Sequence, residues 1–193
     1  MPTPAHILPT AVLLDRDGVI NFDSPDYILK PEQWQPIPGS LEAIAKLHAA
    51  GITVTIASNQ SALARNMMTQ ETFNAIHAKM MLAIEQYGGF ISHVSYCPHG
   101  PDDHCSCRKP LPGMVFDTLN ALGLSDTPEQ VLFIGDSIRD IVAAHAANVE
   151  AMLVQSGYGD ADKILHKARL VQPNIQVYSN LAEAVSMILA EKV

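Results

Sequence analysis

The stretch Val12-Leu13-Leu14-Asp15-Arg16-Asp17-Gly18-Val19 decides the fold that this sequence predicts. Its apolar first part indicates a short buried strand, and two carboxylates follow where that strand ends. Side chains two residues apart point to the same side of a sheet, and Gly18 allows a sharp turn. Because open α/β sheets bind ligands at the carboxyl ends of their strands, Asp15 and Asp17 are candidates for a nucleophile and an acid/base partner. Alone, an Asp-x-Asp-Gly turn is also typical of calcium loops and surface turns.

The composition predicts one globular domain over residues 1–193. Hydrophobic residues make up 48% of the 193 residues, enough for a sizeable core. The formal net charge of −8 argues against nucleic-acid binding, which needs a basic face. An anionic substrate stays compatible with this charge if local cations or a metal ion neutralise it.

Targeting segments are not evident in the sequence. No apolar run approaches the length of a membrane span, and Met1–Thr10 lacks the basic and apolar regions of a secretory signal. We therefore expect a cytoplasmic protein with no membrane partner. All three cysteines fall between Cys97 and Cys107, and an odd, clustered set in such a protein favours a metal site over disulfides.

Strands and helices alternate along the chain, which predicts a mostly parallel sheet covered on both faces. The predicted strands are 11–14, 52–57, 91–96, 131–134, 151–154 and 176–178, and the predicted helices are 40–50, 69–87, 113–122, 137–147 and 181–190. The irregular stretch 21–39 is long enough to be functional but too short for a folded cap domain.

Four polar motifs recur in order at predicted strand ends. After Asp15 and Asp17 come Ser58-Asn59-Gln60, Arg108-Lys109-Pro110 and the stretch from Gly135 to Asp140. This ordered set resembles the haloacid dehalogenase superfamily of phosphohydrolases, and the resemblance covers nearly the whole chain. It implies an α/β fold with a Rossmann-like parallel sheet, helices on both faces, a zinc-binding loop and no cap domain.

The resemblance implies a mechanism. A phosphate monoester repels an anionic nucleophile, so catalysis rests on positioning and charge neutralisation. Asp15 would attack phosphorus and form an aspartyl-phosphate, and Asp17 would protonate the leaving alcohol and then activate water. Ser58 would hydrogen-bond the transferring phosphoryl group, and Lys109 would offset its charge. Each of the last two could also be an ordinary strand-end or surface residue.

A magnesium ion is implied by the same resemblance. Mg²⁺ prefers oxygen ligands in octahedral geometry, and Asp15, the backbone carbonyl of Asp17 and Asp136 would hold it. Asp136 could instead serve as a helix N-cap. For Asp140 two possibilities stay open, since it could complement the helix dipole or brace the site without touching the metal.

A second constellation runs from Cys97-Pro98-His99 to Cys105-Ser106-Cys107. Three thiolates and one imidazole complete a tetrahedral zinc set, and a zinc ion with four protein ligands is structural. His104 is an alternative to His99, which the Cys-x-His…Cys-x-Cys pattern of the family favours. Because this loop ends directly before Arg108 and Lys109, we predict that Zn²⁺ positions the lysine.

Two families within the superfamily are similar to this chain in their zinc loop and missing cap. They are the D-glycero-D-manno-heptose 1,7-bisphosphate 7-phosphatases and the histidinol-phosphate phosphatase domains. Stretches 15–21, 58–65 and 108–114 resemble the heptose family more closely, whereas Ala62, Asn66 and Ser137 depart from its pattern and leave the pocket shape open. The heptose resemblance implies a monomer that acts on a sugar bisphosphate in the synthesis of nucleotide-activated heptose.

A bisphosphate needs a second phosphate-binding group away from the reacting one. Arg108 is the candidate, because a guanidinium grips phosphate with two donors. Arg65 is a further candidate that could also be a surface charge. The other predicted substrate contacts are Asp23 and Tyr27, for sugar hydroxyls, and Asn59, Gln60 and Ser61.

Two other functions compete with a sugar phosphatase. The acidic net charge counts against a DNA 3′-phosphatase. The presence of Asp15, Asp17, Ser58, Lys109 and Asp136 together counts against an inactive, zinc-stabilised binding module.

Overall fold

The computed structural model describes residues 8–190, so most of the predicted Met1–Thr10 segment and the last residues of the predicted domain lie outside the described part. Within the described residues six strands and six α-helices alternate, whereas the sequence predicts six strands and five helices. The strands are β1 (Ala11–Leu14), β2 (Thr53–Asn59), β3 (His93–Cys97), β4 (Val131–Gly135), β5 (Glu150–Val154) and β6 (Gln176–Tyr178). The helices are α1 (Ser40–Ala49), α2 (Gln70–Gln86), α3 (Gly113–Leu122), α4 (Ile138–Ala146), α5 (Ala161–Val171) and α6 (Leu181–Ala190).

All six strands are parallel and lie in the order β3-β2-β1-β4-β5-β6. The chain first builds outward from β1 through β2 to β3, and then returns to the other side of β1. A crevice forms at such a reversal, outside the carboxyl ends of the central strands. Leu14 pairs with Ile56 and with Ile134, so the residues that follow these three strands meet at one edge of the sheet.

The core lies on both faces of the sheet. In β1, Val12 and Leu14 pack on the face that α1, α2 and α6 cover, while Ala11 and Leu13 pack on the face of α3, α4 and α5. This alternation is the period of two that a strand imposes on its side chains. All four residues are fully buried, as expected for a parallel sheet with helices on both faces. The predicted fold class is confirmed.

One helix was not predicted from the sequence. Helix α5 has its apolar residues along one face, but it is polar on average and only Ala168 among its residues is fully buried. A local signal for it exists in Asp160, whose carboxylate caps the helix by accepting from the Lys163 backbone N–H at 3.1 Å. Among residues 8–190, no helix combines the length and apolar character needed to cross a bilayer.

Candidate active site

The Lys109 ammonium lies at the centre of the site, at the carboxyl end of β1. It is 2.9 Å from Asp15 Oδ2 and 2.6 Å from Asp140 Oδ1, and it donates to the Ala57 carbonyl at 2.8 Å. Its side chain is only 2% exposed. Burial alone would lower the pKa of Lys109, but the charges of Asp140 and Asp15 outweigh it and raise that pKa. The lysine is therefore a fixed positive charge beside Asp15.

Three carboxylates crowd around this cation. One oxygen of each of Asp15, Asp136 and Asp140 lies within 4.8 Å of the others. Burial is the main reason that the pKa of Asp15 rises to about 7, with Lys109 opposing the rise. Burial, and then the charges of Asp140 and Asp15, raise the pKa of Asp136 to about 8. Such a cluster suits a divalent cation, because the ion neutralises carboxylates that repel one another.

Asp140 both lies in the first turn of α4, where it complements the helix dipole, and braces the site through Lys109. Its Oδ2 accepts from the backbone N–H of Ser137 at 3.0 Å and from the Ser137 hydroxyl at 2.7 Å, which forms a capping box at the start of α4. Its Oδ1 pairs with Lys109. With these partners Asp140 braces the lysine, and Asp15 and Asp136 are the carboxylates better placed to hold Mg²⁺.

Two glycines make room for Asp136. A Cβ at Gly18 would clash with the Asp136 carboxylate, and Gly18 also has a φ of +82°, which side chains rarely tolerate. A Cβ at Gly157 would overlap the same carboxylate. Sequence reasoning identified Gly18 as a turn residue but missed Gly157, because its contact with Asp136 is made across the sheet edge.

Asp17 lies in a dense network of hydrogen-bond donors. Arg16 donates to both of its oxygens, through Nε to Oδ1 at 3.0 Å and through Nη2 to Oδ2 at 2.8 Å. Asn21 adds a bond to Oδ1 at 2.8 Å and Gln60 one to Oδ2 at 2.9 Å. Burial would raise the pKa of Asp17, but the Arg16 charge and these bonds outweigh it and lower the pKa. Asp17 is thus held as a carboxylate in a defined orientation.

The three polar residues at the end of β2, Ser58, Asn59 and Gln60, make different hydrogen bonds in the site. Ser58 is buried beside the cleft and its Oγ accepts from Gln60 at 2.9 Å. Gln60 thereby links Ser58 to Asp17. The Asn59 side chain clamps the Lys109 backbone, accepting from its N–H at 3.0 Å and donating to its carbonyl at 2.9 Å. These contacts make Asn59 and Gln60 supports of the polar site.

A cleft of about 160 Å³ opens over these groups. The predicted site residues that line it are Asp15, Asp17, Asp23, Tyr27, Ser58, Asn59, Ser61, Arg108, Lys109 and Asp136. The described lining does not include Gln60, which is buried beneath it, or Arg65, which is exposed elsewhere. Burial, and then the charge of Asp17, raise the pKa of Asp23 to about 6.

Besides Ser24 and Pro25, which lie between the predicted Asp23 and Tyr27, two cleft residues were not predicted as substrate contacts. Arg139 lies in the first turn of α4, within the fourth motif, and Tyr158 follows Gly157. The motif placed Arg139 near the strand end, but only the three-dimensional arrangement brings it to the cleft that Arg108 also lines. With Lys109, the two guanidiniums place three cations in a cleft that four aspartates also line, in a chain that is acidic as a whole.

The predicted zinc ligands come together in one cluster. The Sγ atoms of Cys97, Cys105 and Cys107 and the Nδ1 of His99 all lie within 4.8 Å of one another. Cys97 Sγ is 3.6 Å from Cys105 Sγ, and His99 Nδ1 is 3.3 Å from Cys107 Sγ. Three sulfurs and one imidazole nitrogen are a fitting donor set for a tetrahedral Zn²⁺. His104, exposed and outside the cluster, is not the fourth member.

Comparisons with known proteins agree with this geometry. Residues 10–148 match a family described as haloacid dehalogenase-like hydrolase. A D-glycero-beta-D-manno-heptose-1,7-bisphosphate 7-phosphatase of Bordetella bronchiseptica is 44% identical over 182 residues, covering 93% of this chain and 98% of the relative. A protein of the same name from Pseudomonas putida is 47% identical over 151 residues, covering 77% and 84%.

A solved structure shows the same arrangement of the chain. The crystal structure of D,D-heptose 1,7-bisphosphate phosphatase from B. bronchiseptica, complexed with magnesium and phosphate, superposes with a TM-score of 0.85. The two chains are 42% identical, and the match covers 94% of this chain and 99% of the other.

Proposed function

The chain belongs to the haloacid dehalogenase-like hydrolase family, and from this we propose that it removes the 7-phosphate of D-glycero-D-manno-heptose 1,7-bisphosphate. The observation that carries the proposal is the Asp15 carboxylate paired with a buried Lys109 at the mouth of a polar cleft. The product would be heptose 1-phosphate, a precursor of ADP- or GDP-heptose for lipopolysaccharide core. The names of the relatives support this choice of substrate.

In the first step Asp15 attacks phosphorus in line, and the bond from phosphorus to the C7 oxygen breaks. The result is an aspartyl-phosphate on Asp15. Lys109 offsets the charge of the carboxylate and of the phosphoryl oxygens, and the Ser58 hydroxyl donates to one of those oxygens. Both groups are pre-positioned, since Lys109 is held by Asn59 and Ala57 and Ser58 by Gln60.

Asp17 moves the protons in both steps of the proposed reaction. It delivers a proton to the departing C7 oxygen and then takes one from the water that hydrolyses the aspartyl-phosphate. Its carboxylate form, which the surrounding donors favour, is the form that accepts the proton from water. In the first step the dianionic phosphoryl group raises the pKa of the neighbouring carboxyl and so favours the protonated form.

The Asp15 and Asp136 carboxylates and the Asp17 backbone carbonyl would hold the magnesium ion. When bound, Mg²⁺ supplies positive charge to the phosphoryl oxygens and to the carboxylates. The solved relative in complex with magnesium and phosphate supports this metal.

A panel of substrates tests the proposed specificity. With Mg²⁺ present, we expect kcat/KM for heptose 1,7-bisphosphate to exceed that for histidinol phosphate and fructose 1,6-bisphosphate by at least about a hundredfold, roughly 2.7 kcal/mol of discrimination. Comparable turnover of histidinol phosphate would be compatible with the phosphatase mechanism but would assign the protein to the histidinol-phosphate phosphatases. Arg108 and Arg139 at the cleft favour the bisphosphate, because histidinol phosphate has no second phosphate for them to bind.

We expect Arg108→Ala to raise KM for the heptose bisphosphate by about tenfold or more, and to change KM for a sugar monophosphate little. The reason is that Arg108 lines the cleft and would grip the phosphate that does not react. Steady-state kinetics on both substrates measures the effect. Arg65→Ala is the matched control, because it removes an exposed arginine that does not line the cleft. Equal losses on both substrates would contradict a second phosphate clamp.

Zinc removal is expected to lower kcat by at least about tenfold in saturating Mg²⁺. The zinc loop runs directly into Lys109, and the Arg108 guanidinium donates to the His99 carbonyl at 3.0 Å. His99→Ala should lose both zinc and activity, measured by metal analysis and phosphate release. His104→Ala should keep both, since His104 lies outside the cluster. Full activity in the zinc-free protein would show that zinc does not position the lysine.

The remaining parts of the proposal concern organisation and environment. We propose a single catalytic domain that works as a cytoplasmic monomer on a small sugar phosphate, without nucleic-acid or membrane partners. One sheet with a core on each face supports the single domain, and the net charge of −8 argues against nucleic acid.

A further inference from the structure

Trp34, the single tryptophan of the sequence, is bonded to the proton-transfer site through one intermediate residue. Its indole Nε1–H donates to Asn21 Oδ1 at 3.0 Å, and Trp34 is 2% exposed. The Asn21 amide donates in turn to Asp17 Oδ1 at 2.8 Å and to the Phe22 carbonyl at 2.9 Å. Asn21 is fully buried, so water cannot replace these partners.

The indole determines which way the Asn21 amide faces. An indole N–H can only donate, so the Asn21 oxygen must face Trp34 and the NH₂ group must face Asp17. A flipped amide would put its oxygen against the Asp17 carboxylate and its NH₂ against the indole N–H. Both contacts would then be unfavourable in a buried site, where an unmade hydrogen bond is costly.

We infer that Trp34 is a positioning residue, which acts through Asn21 to hold the Asp17 carboxyl in the orientation for proton transfer. The inference rests on the role of Asp17 in the proposed function. Arg16 alone binds both Asp17 oxygens from one side, and Gln60 reaches only Oδ2. Besides Arg16, Asn21 is therefore the side chain that donates to Asp17 Oδ1. Trp34 keeps the Asn21 amide in the orientation that this bond requires.

Trp34 is itself held in place by α2. The Lys79 ammonium donates to the Pro31 carbonyl at 2.6 Å and to the Trp34 carbonyl at 3.0 Å, and it lies 5.7 Å from the centroid of the Trp34 ring. Lys79→Met removes these contacts but leaves the indole N–H on Asn21. It therefore loosens the same segment without breaking the proposed link to Asp17.

The test removes one N–H. Since the chain has a single tryptophan, residue-specific replacement by β-(3-benzothienyl)alanine changes only Trp34 and puts a sulfur where the N–H was. Trp34→Phe is the genetic counterpart. Two substrates are compared: the heptose bisphosphate, whose alkoxide needs a proton to leave, and p-nitrophenyl phosphate, whose phenolate does not.

For both replacements we expect kcat/KM on the sugar phosphate to fall by about threefold to tenfold, the size of one lost buried hydrogen bond. This ratio reports the steps up to departure of the leaving group, so kcat/KM on p-nitrophenyl phosphate should stay within about twofold. Lys79→Met should lower thermal stability and leave the ratio of the two kcat/KM values unchanged. Equal losses of kcat/KM on both substrates, or no loss with the sulfur analogue, would overturn the inference while leaving the proposed function intact.

A separate variant tests the premise. Asp17→Asn should lower kcat/KM far more on the sugar phosphate than on p-nitrophenyl phosphate, because only the sugar alkoxide needs a proton to leave. If it keeps sugar-phosphate turnover, Asp17 is not the proton-transfer group, and the role of Trp34 falls with it.

Discussion

Replacing Lys109 by methionine is expected to lower phosphatase activity by about a thousandfold and to destabilise the fold by about 3–5 kcal/mol. Both effects have one cause. The ammonium pairs with Asp15 and Asp140 while its side chain is 2% exposed, so its loss leaves two buried carboxylates without their cation. Methionine has a similar length but cannot donate to the Ala57 carbonyl, which loses its bond as well.

Phosphate release and urea denaturation of the two proteins measure these losses. Lys163→Met is the matched control, because it makes the same chemical change in a pair with Asp160 where Lys163 is 79% exposed. Exposed ion pairs contribute little to stability, so the control should behave as the wild type. If Lys109→Met were as stable and active as Lys163→Met, Lys109 would not be the charge on which the site depends.

The strand-end motifs could be predicted because their signal is local. Asp15, Ser58 and Asp136 each follow an apolar run within a few residues, and a parallel sheet brings the carboxyl ends of such strands together. The same logic predicted the zinc cluster, whose four ligands lie on one short loop. Sequence alone was therefore sufficient for the fold class and for most residues of the cleft.

Long-range contacts could not be read from the sequence. Asn59 and Gln60 were predicted to contact substrate, yet their amides are engaged with the Lys109 backbone and with Asp17 and Ser58. These partners are set by how β2 lies beside the loops, a property of the folded chain. The contact of Trp34 with Asn21 likewise spans a stretch without regular pattern.

Asp15→Asn is expected to abolish turnover, by about 10⁴-fold or more, while destabilising the metal-free protein much less than Lys109→Met. An amide cannot form the aspartyl-phosphate, which accounts for the lost activity. Its single oxygen can keep only one of the two contacts of the carboxylate, because Oδ1 accepts from the Arg16 backbone N–H at 2.7 Å and Oδ2 pairs with Lys109. Lys109 still keeps its pair with Asp140. The change also removes one of three carboxyl groups that lie within 4.8 Å of one another and whose negative charges repel one another.

The loss of stability should thus be much smaller than that of Lys109→Met, and combining the two changes separates the contribution of charge from that of packing. In the double variant one carboxylate fewer is left unpaired, so it should recover part of the stability that Lys109→Met loses while staying inactive. Urea denaturation of the wild type and the three variants, each with and without Mg²⁺, gives the comparison. Mg²⁺ should stabilise the wild type and have a much weaker effect on Asp15→Asn, which has lost a metal ligand. If Asp15→Asn alone destabilised the metal-free protein as much as Lys109→Met, repulsion among the three carboxylates would not be the dominant energy of the site, and the Asp15–Lys109 pair itself would have to account for its stability.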